Sequence, residues 1–100
     1  MDRVFKAGAR FSCKGMRVHM LPNSLAVSRV VFVPVRSYSN AVARNRARRV
    51  LRECWRLGKA SIRKGYDVVV VLYPVKDEFA ERRTQLFRLL RQAGIVSGIL

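Results

Sequence analysis

The apolar and polar positions of the first 21 residues predict a short helix followed by two strands. Residues 2–7 (DRVFKA) suit the end of a helix, which Gly8 terminates. Residues 9–13 suit a short strand, and a turn at Lys14-Gly15 separates it from the next segment. Side-chain type alternates along residues 16–21 (MRVHML), as it does in a strand. The pattern therefore indicates two consecutive strands joined by a turn.

A longer apolar segment follows the turn signal at residues 22–24 (PNS). Residues 25–35 (LAVSRVVFVPV) are rich in β-branched side chains, which favours a long strand. We expect this strand to pair with residues 16–21 as a hairpin. Because proline cannot donate a hydrogen bond to a neighbouring strand, Pro34 should lie near the end of its strand or at the edge of the sheet.

Two long helices with a strand between them complete the prediction. Ser39 or Asn40 can cap a helix that extends to about Gly58. Residues 66–73 (YDVVVVLY) are almost continuously apolar, which is typical of a strand covered on both faces. A second helix runs from about residue 78 to residue 93, and the glycine that follows ends it.

The predicted order is helix, three strands, helix, strand, helix, which defines an α+β fold. A chain of 100 residues forms one domain with a single modest core. We expect one sheet with helices packed against it, because that arrangement buries the apolar side of both kinds of element.

The first long helix combines an apolar stripe with a concentration of arginine. Residues 43–56 hold six arginines, no lysine and one acidic residue. At about 100° per residue, the apolar stripe comprises Ala43, Ala47, Val50, Leu51 and Cys54. The opposite face carries Asn45, Arg49, Arg52 and Arg56. One flank holds Arg44, Arg48 and Trp55, and the other holds Arg46 and Glu53.

This distribution predicts an anionic partner for the helix. A face that only meets solvent usually interleaves both signs of charge, and like charges four residues apart destabilise a helix. Arginine suits phosphate in particular, because its planar guanidinium donates two parallel hydrogen bonds.

The net charge of +15 extends this expectation to the whole chain. Such a charge opposes compaction by self-repulsion and calls for nucleic acid, an anionic membrane surface or an acidic protein as partner. A membrane surface would require the apolar helix face that the domain's only core needs. Nucleic acid is therefore the expected partner, and charge alone does not distinguish RNA from DNA.

The chain lacks the residue clusters of protein catalysis and metal binding. Cys13 and Cys54 fit neither a disulfide framework nor a metal-binding pair, so we expect two reduced cytosolic thiols. His19 is the single histidine, which argues against a zinc site and against a nucleophile–base pair. Because the chain has no apolar signal core and no segment of about 18 apolar residues, we expect a cytoplasmic protein with no membrane contact. We also expect no small-molecule substrate.

Residues 39–53 (SNAVARNRARRVLRE) resemble the signature of the bacterial ribonuclease P protein subunit. That signature is roughly G-N-A-V-x-R-N-R-x-K/R-R, followed by an amphipathic helix. The matching residues are Asn40, Ala41, Val42, Arg44, Asn45, Arg46, Arg48 and Arg49, while Ser39 stands where glycine is usual. The resemblance extends over nearly the whole chain, since VFKAG, YDVVVVLY and TQLFRLLRQAG correspond to the family's first helix, last strand and closing helix.

The resemblance implies a protein subunit of a ribonucleoprotein that removes the 5′ leader from precursor tRNA. Its implied partners are ribonuclease P RNA and precursor tRNA. The RNA and its Mg²⁺ perform the hydrolysis, and the protein binds no cofactor by itself. The implied fold is a small single-domain α/β sandwich of order α-β-β-β-α-β-α with a four-stranded sheet. Its crossover through the arginine helix is left-handed, against general statistics.

The resemblance also assigns residues to two RNA-binding sites. The helix residues that contact the catalytic RNA are Arg44, Asn45, Arg46, Arg48, Arg49 and Arg52. A separate cleft between the sheet and the short first helix takes the leader, through Phe5, His19 and Arg36. His19 stands where an aromatic residue is common, and a histidine can still stack on a base.

Several of these residues have a second interpretation. Phe5 and Trp55 fit core packing as well as base stacking. Lys6, Arg10, Lys14 and Arg17 form either a second phosphate-binding track or solubilising charge. For the whole chain, a basic ribosomal or other structural RNA-binding protein is the alternative to a role in cleavage. A free-standing nuclease would need clustered carboxylates for metal, and the sequence has none.

Overall fold

The computed structural model describes residues 8–75 and 78–96, which form a four-stranded sheet and two long helices. The strands are β1 (Ala9–Cys13), β2 (Met16–Pro22), β3 (Arg29–Pro34) and β4 (Tyr66–Leu72). The helices are α1 (Ala41–Gly58), which a single turn at Lys59–Ser61 follows, and α2 (Phe79–Gln92). The α+β class and the order of these elements are as predicted. The helix predicted at residues 2–7 lies outside the described residues.

The strands lie in the order β1-β2-β4-β3. β2 is antiparallel to both β1 and β4, whereas β3 is parallel to β4. The predicted hairpin between residues 16–21 and 25–35 is therefore wrong, because β4 lies between those two strands. Pro34 is the last residue of β3, which is an edge strand, so its predicted position is confirmed. The handedness of the β3–α1–β4 connection stays a prediction.

Side chains in the segment before β3 explain why that strand pairs with β4. The Asn23 amide donates to Asp67 Oδ1 at 2.9 Å, and the Arg29 guanidinium makes two bonds of 2.7 and 2.6 Å to the same carboxylate. The Ser28 hydroxyl accepts from the Tyr66 amide at 3.1 Å. These contacts attach the chain to the start of β4, so β3 begins at Arg29 and not at Leu25.

β4 lies at the centre of the sheet and is buried on both faces, as its apolar run predicts. Val68, Val70 and Leu72 face the helices, while Val69 and Val71 face the other side. Against the first face, α1 and α2 pack Ala47, Leu51, Cys54, Trp55, Leu86, Phe87, Leu89 and Leu90. One apolar core between the sheet and the two helices therefore holds the domain together.

A fully buried arginine joins three parts of this structure. Arg82, on α2, donates to the Gly15 carbonyl at 2.8 Å, the Tyr73 carbonyl at 3.0 Å and the Tyr38 hydroxyl at 2.8 Å. A buried guanidinium is tolerated only when its donors are satisfied. Arg82 thus links the β1–β2 turn, the end of β4 and the segment that leads into α1.

Candidate nucleic-acid interface

α1 directs its arginines away from the core, as the helical periodicity predicts. Asn45, Arg46, Arg49, Arg52 and Arg56 are exposed, whereas Arg44 and Arg48 are half-buried along one flank. Ala47, Leu51 and Cys54 are completely buried beneath them. The outer side of α1 is therefore a strip of cationic side chains held in place by the core stripe.

Trp55, on the same flank, belongs to the core. It is 8% exposed, and its ring meets that of Phe32 edge to face with 6.5 Å between centroids. Of the two roles considered for this residue, the structure supports packing and not base stacking.

The amino-terminal turn of α1 is fixed by side-chain hydrogen bonds. Asn40 is the N-cap, and its side-chain oxygen accepts from the Ala43 amide at 2.8 Å. The Arg44 guanidinium donates to the Tyr38 carbonyl at 3.3 Å, and Arg48 donates to Asn45 Oδ1 at 3.0 Å. Because these bonds orient the start of the helix, they also limit the freedom of its first arginines.

Acidic side chains neutralise little of this surface. Glu53 is the one carboxylate on α1, and it forms an ion pair with Arg56. The side chains of Arg49 and Arg52 make no hydrogen bond or ion pair with any residue in the ranges 8–75 and 78–96. Their guanidinium groups are therefore available to an external anion.

Two shallow hollows border these arginines. One, of about 540 Å³, is lined by Val42, Asn45, Arg48, Arg49 and Arg52. The other, of about 390 Å³, lies between α1 and the edge strand and is lined by Val30, Val31, Phe32, Val33, Arg48 and Arg52. Arg48 and Arg52 line both, so they form a cationic ridge between the hollows.

The sheet face opposite the helices carries the second set of predicted residues. By strand alternation, this face holds Arg10, Ser12, Arg17, His19, Leu21, Arg29, Val31, Val33, Asp67, Val69 and Val71. Val31 and Val33 are more than one third exposed, which leaves apolar surface on the edge strand. Cationic side chains on β1 and β2 thus share one face with valines on β3 and β4.

His19 lies on this face but is only 5% exposed. Its cross-strand neighbours are Arg10 on β1 and Val69 on β4. Burial lowers the pKa of the imidazole, and the positive charges of Arg17 and Arg10 lower it further. The ring is therefore neutral at pH 7, so any contact it makes with RNA relies on the ring and not on charge.

The structure places the remaining cleft candidates as follows. Arg36 is exposed just after β3, at the end of the sheet where Arg17 also lies. Phe5 lies outside the described residues.

The guanidinium of Arg17 stands over the Tyr73 ring, 5.9 Å from its centroid, which is a cation–π contact. The alternation along β2 is the sequence signal that places Arg17 on the same face as His19.

The described part of the chain contains no group of three His, Cys, Asp or Glu side chains arranged to hold a metal ion. Neither of its two long helices is both long enough and apolar enough to cross a membrane.

The un-neutralised arginines of α1 suit phosphate binding, which places the chain among the nucleic-acid-binding proteins of small α+β fold. The sequence model of the ribonuclease P family, described as "Ribonuclease P", matches residues 1–94. The chain belongs to this family. It is a protein subunit of ribonuclease P, an endoribonuclease of tRNA maturation, and its partner is ribonuclease P RNA.

Known relatives agree in sequence and in fold. The ribonuclease P protein component of Natranaerobius thermophilus is 35% identical over 96 residues, covering 94% of this chain and 84% of that one. The RNase P protein from Thermotoga maritima matches with a TM-score of 0.79 and 31% identity, over 89% of this chain and 86% of that one. The Staphylococcus aureus RNase P protein has a TM-score of 0.85 over 96% of this chain and 90% of its own; at 21% identity it supports the fold alone.

Proposed function

We propose that the outer face of α1 binds ribonuclease P RNA and that the opposite sheet face holds the 5′ leader of precursor tRNA. The protein thereby assists removal of the leader, and the RNA-bound Mg²⁺ supplies the hydrolytic chemistry. The observation that carries the proposal is the pair of exposed guanidinium groups of Arg49 and Arg52, which have no acidic partner among the described residues.

The placement of the two faces supports simultaneous binding of two RNAs. α1 packs on one side of the sheet, while Arg17 and His19 lie on the other. A helix layer and a sheet are about 10 Å thick each, so RNA bound on α1 leaves the opposite face open to a second strand. The protein can then bring substrate and catalytic RNA together.

The composition of the sheet face suits a single strand. Arg10 and Arg17 supply positive charge, while Val31 and Val33 supply exposed apolar surface. Proteins that bind single-stranded RNA combine cations along the backbone with flat apolar contacts for the bases. The neutral His19 ring lies between these two groups, and at 5% exposure it offers little surface to a base.

The net charge of +15 also explains how such a protein assists catalysis without catalytic side chains. Two RNAs repel each other, and a cationic protein held between them reduces the repulsion that Mg²⁺ would otherwise have to screen. The benefit of the protein should therefore be largest when Mg²⁺ is scarce.

The test is cleavage of precursor tRNA by ribonuclease P RNA at low Mg²⁺, with and without this chain. We expect stimulated cleavage at the 5′ end of the mature tRNA. The double variant Arg49→Gln/Arg52→Gln should lose most of the stimulation, and its affinity for the RNA should depend less on salt, by roughly one to two units of log–log slope.

The matched control is Arg63→Gln/Arg88→Gln, which removes the same charge from two exposed positions outside α1. It should retain most of the stimulation. Absence of stimulation by the unaltered chain would favour a structural RNA-binding role, and cleavage by the chain alone would indicate a protein nuclease.

A further inference from the structure

A groove on α2 lies outside both proposed RNA-binding faces. It measures about 410 Å³ and is lined by Phe79, Ala80, Arg83, Thr84, Phe87 and Arg91. Phe79 is 38% exposed, although phenylalanine is among the residue types most often buried. The groove therefore presents an aromatic ring together with two arginines.

The groove opens beside the second half of α1. The Cys54 thiol contacts the Phe79 carbonyl at 3.7 Å, and the Phe87 ring packs over Gly58 at the end of α1. Leu57, the residue before that glycine, is 56% exposed. Both helices lie on the same side of the sheet, so the groove and the outer face of α1 are on the same side of the protein.

The charges of the groove are not neutralised within it. Its lining contains no acidic residue. The Arg83 side chain makes no hydrogen bond or ion pair with the described parts of the chain. The Arg91 side chain uses only its Nε, which donates to the Phe87 carbonyl at 3.3 Å. The terminal nitrogens of both side chains are thus available to a ligand, and their charge selects an anion.

We propose that Phe79, Arg83 and Arg91 bind an unpaired nucleotide of an RNA strand that continues from α1. The base stacks on the Phe79 ring, and the two arginines hold the flanking phosphates. Aromatic rings that accept a base of any type, flanked by cations that follow the backbone, are the general means of binding single strands. That this strand belongs to ribonuclease P RNA rests on the proposed function. Binding in the groove itself requires only that the RNA be single-stranded.

The first experiment measures binding of a labelled oligouridylate of about eight nucleotides to the full chain by fluorescence anisotropy. Phe79→Ala and Phe79→Leu should each weaken binding roughly 5- to 30-fold, because both remove the ring. Phe79→Tyr keeps the ring and should bind as the unaltered chain does. The leucine variant retains apolar bulk, so it separates stacking from simple hydrophobic contact. Equal affinity of all three variants would overturn the proposal.

A second comparison tests the arginines. Arg83→Gln/Arg91→Gln should weaken oligouridylate binding and reduce its salt dependence, whereas Arg88→Gln should change little. Arg88 is an exposed arginine of the same helix, but it lies toward β1, where its charge acts on Cys13, and not in the groove. Thermal melting of each variant shows whether the fold is retained.

The same variants are then measured with ribonuclease P RNA, and the chain alone is examined by sedimentation. If Phe79 variants bind both RNAs normally while Arg49→Gln/Arg52→Gln does not, the groove proposal fails and the α1 proposal stands. If the α1 variant binds ribonuclease P RNA normally, the proposed function fails, and the oligouridylate result still decides the groove. A change in self-association without a change in RNA affinity would make the groove a contact between copies of this chain.

Discussion

His19 shows how neighbours decide the chemistry of a residue. Desolvation and the nearby guanidinium groups of Arg17 and Arg10 all lower its pKa, so the folded chain binds this proton less readily than the unfolded chain does. Neutral His19 therefore stabilises the fold above the unfolded-state pKa of 6.5. That contribution is lost as the pH falls through the lower folded-state pKa.

We expect the melting temperature of the chain to fall as the pH is lowered from about 7.5 to about 5.5. The fall should be clearly smaller in His19→Gln, which cannot be protonated. His19 is the only histidine, so no other side chain has its ordinary pKa within that interval. An equal fall in both proteins, measured by circular dichroism, would show that the imidazole does not carry the effect.

The two cysteines are unpaired thiols, as their spacing predicts. Cys54 lies in the core, and burial raises the pKa of its thiol to about 11. At neutral pH this residue is therefore a small apolar side chain and not a nucleophile. Its place in the α1 stripe follows from periodicity alone.

At the scale of the elements, one glycine sets the approach of α1 and α2. Gly58 has a φ of −100°, so its backbone does not require glycine. The space around this position does require a glycine, because an added Cβ would come within 2.9 Å of three carbons of the Phe87 ring. Phe87 is itself 2% exposed and has no room to move away.

We expect Gly58→Ala to destabilise the fold by about 1–3 kcal/mol, although alanine is ordinarily the better residue in a helix. The measurement is the free energy of unfolding by urea. Leu57→Ala, at the adjacent exposed position, is the control and should change stability little.

The double variant Gly58→Ala/Phe87→Leu tests the cause. If the ring is what the new methyl group meets, the second substitution should recover part of the loss expected from the two single variants. Strictly additive losses would instead assign the effect of Gly58→Ala to the backbone.

The helices were easier to predict than the strand pairing. Asn40 caps α1 and Gly94, with a φ of 77°, follows α2, because capping depends on residues close in sequence. The pairing of β3 depends on Asn23 and Arg29 reaching Asp67, some forty residues away. Apolar periodicity carries no information about such a contact, which is why the hairpin prediction was wrong.

At the scale of the whole molecule, charge is the dominant feature. A net charge of +15 opposes folding by self-repulsion. Of the residues described, Arg29 and Arg56 form ion pairs, with Asp67 and Glu53. Carboxylates of the chain therefore leave much of the positive charge un-neutralised, and the stability of the isolated chain should depend on which anions are present.

We expect sulfate to raise the melting temperature more than sodium chloride of equal ionic strength, by on the order of 5 °C. Both salts screen charge, but a divalent oxyanion also binds arginine forks in the manner of a phosphate. The measurement is a thermal melt in each salt. Identical curves would mean that screening alone relieves the repulsion.

Features local in the sequence specified the α+β class, the capped helices and the outward direction of the α1 arginines, because periodicity and capping act over a few residues. The signature at residues 39–53 indicated the ribonuclease P family. The folded chain was needed to show that β4 separates β2 from β3, that Arg82 is buried and that Phe79, Arg83 and Arg91 share a groove. Those features arise from contacts between distant segments, which form only when the whole core is assembled.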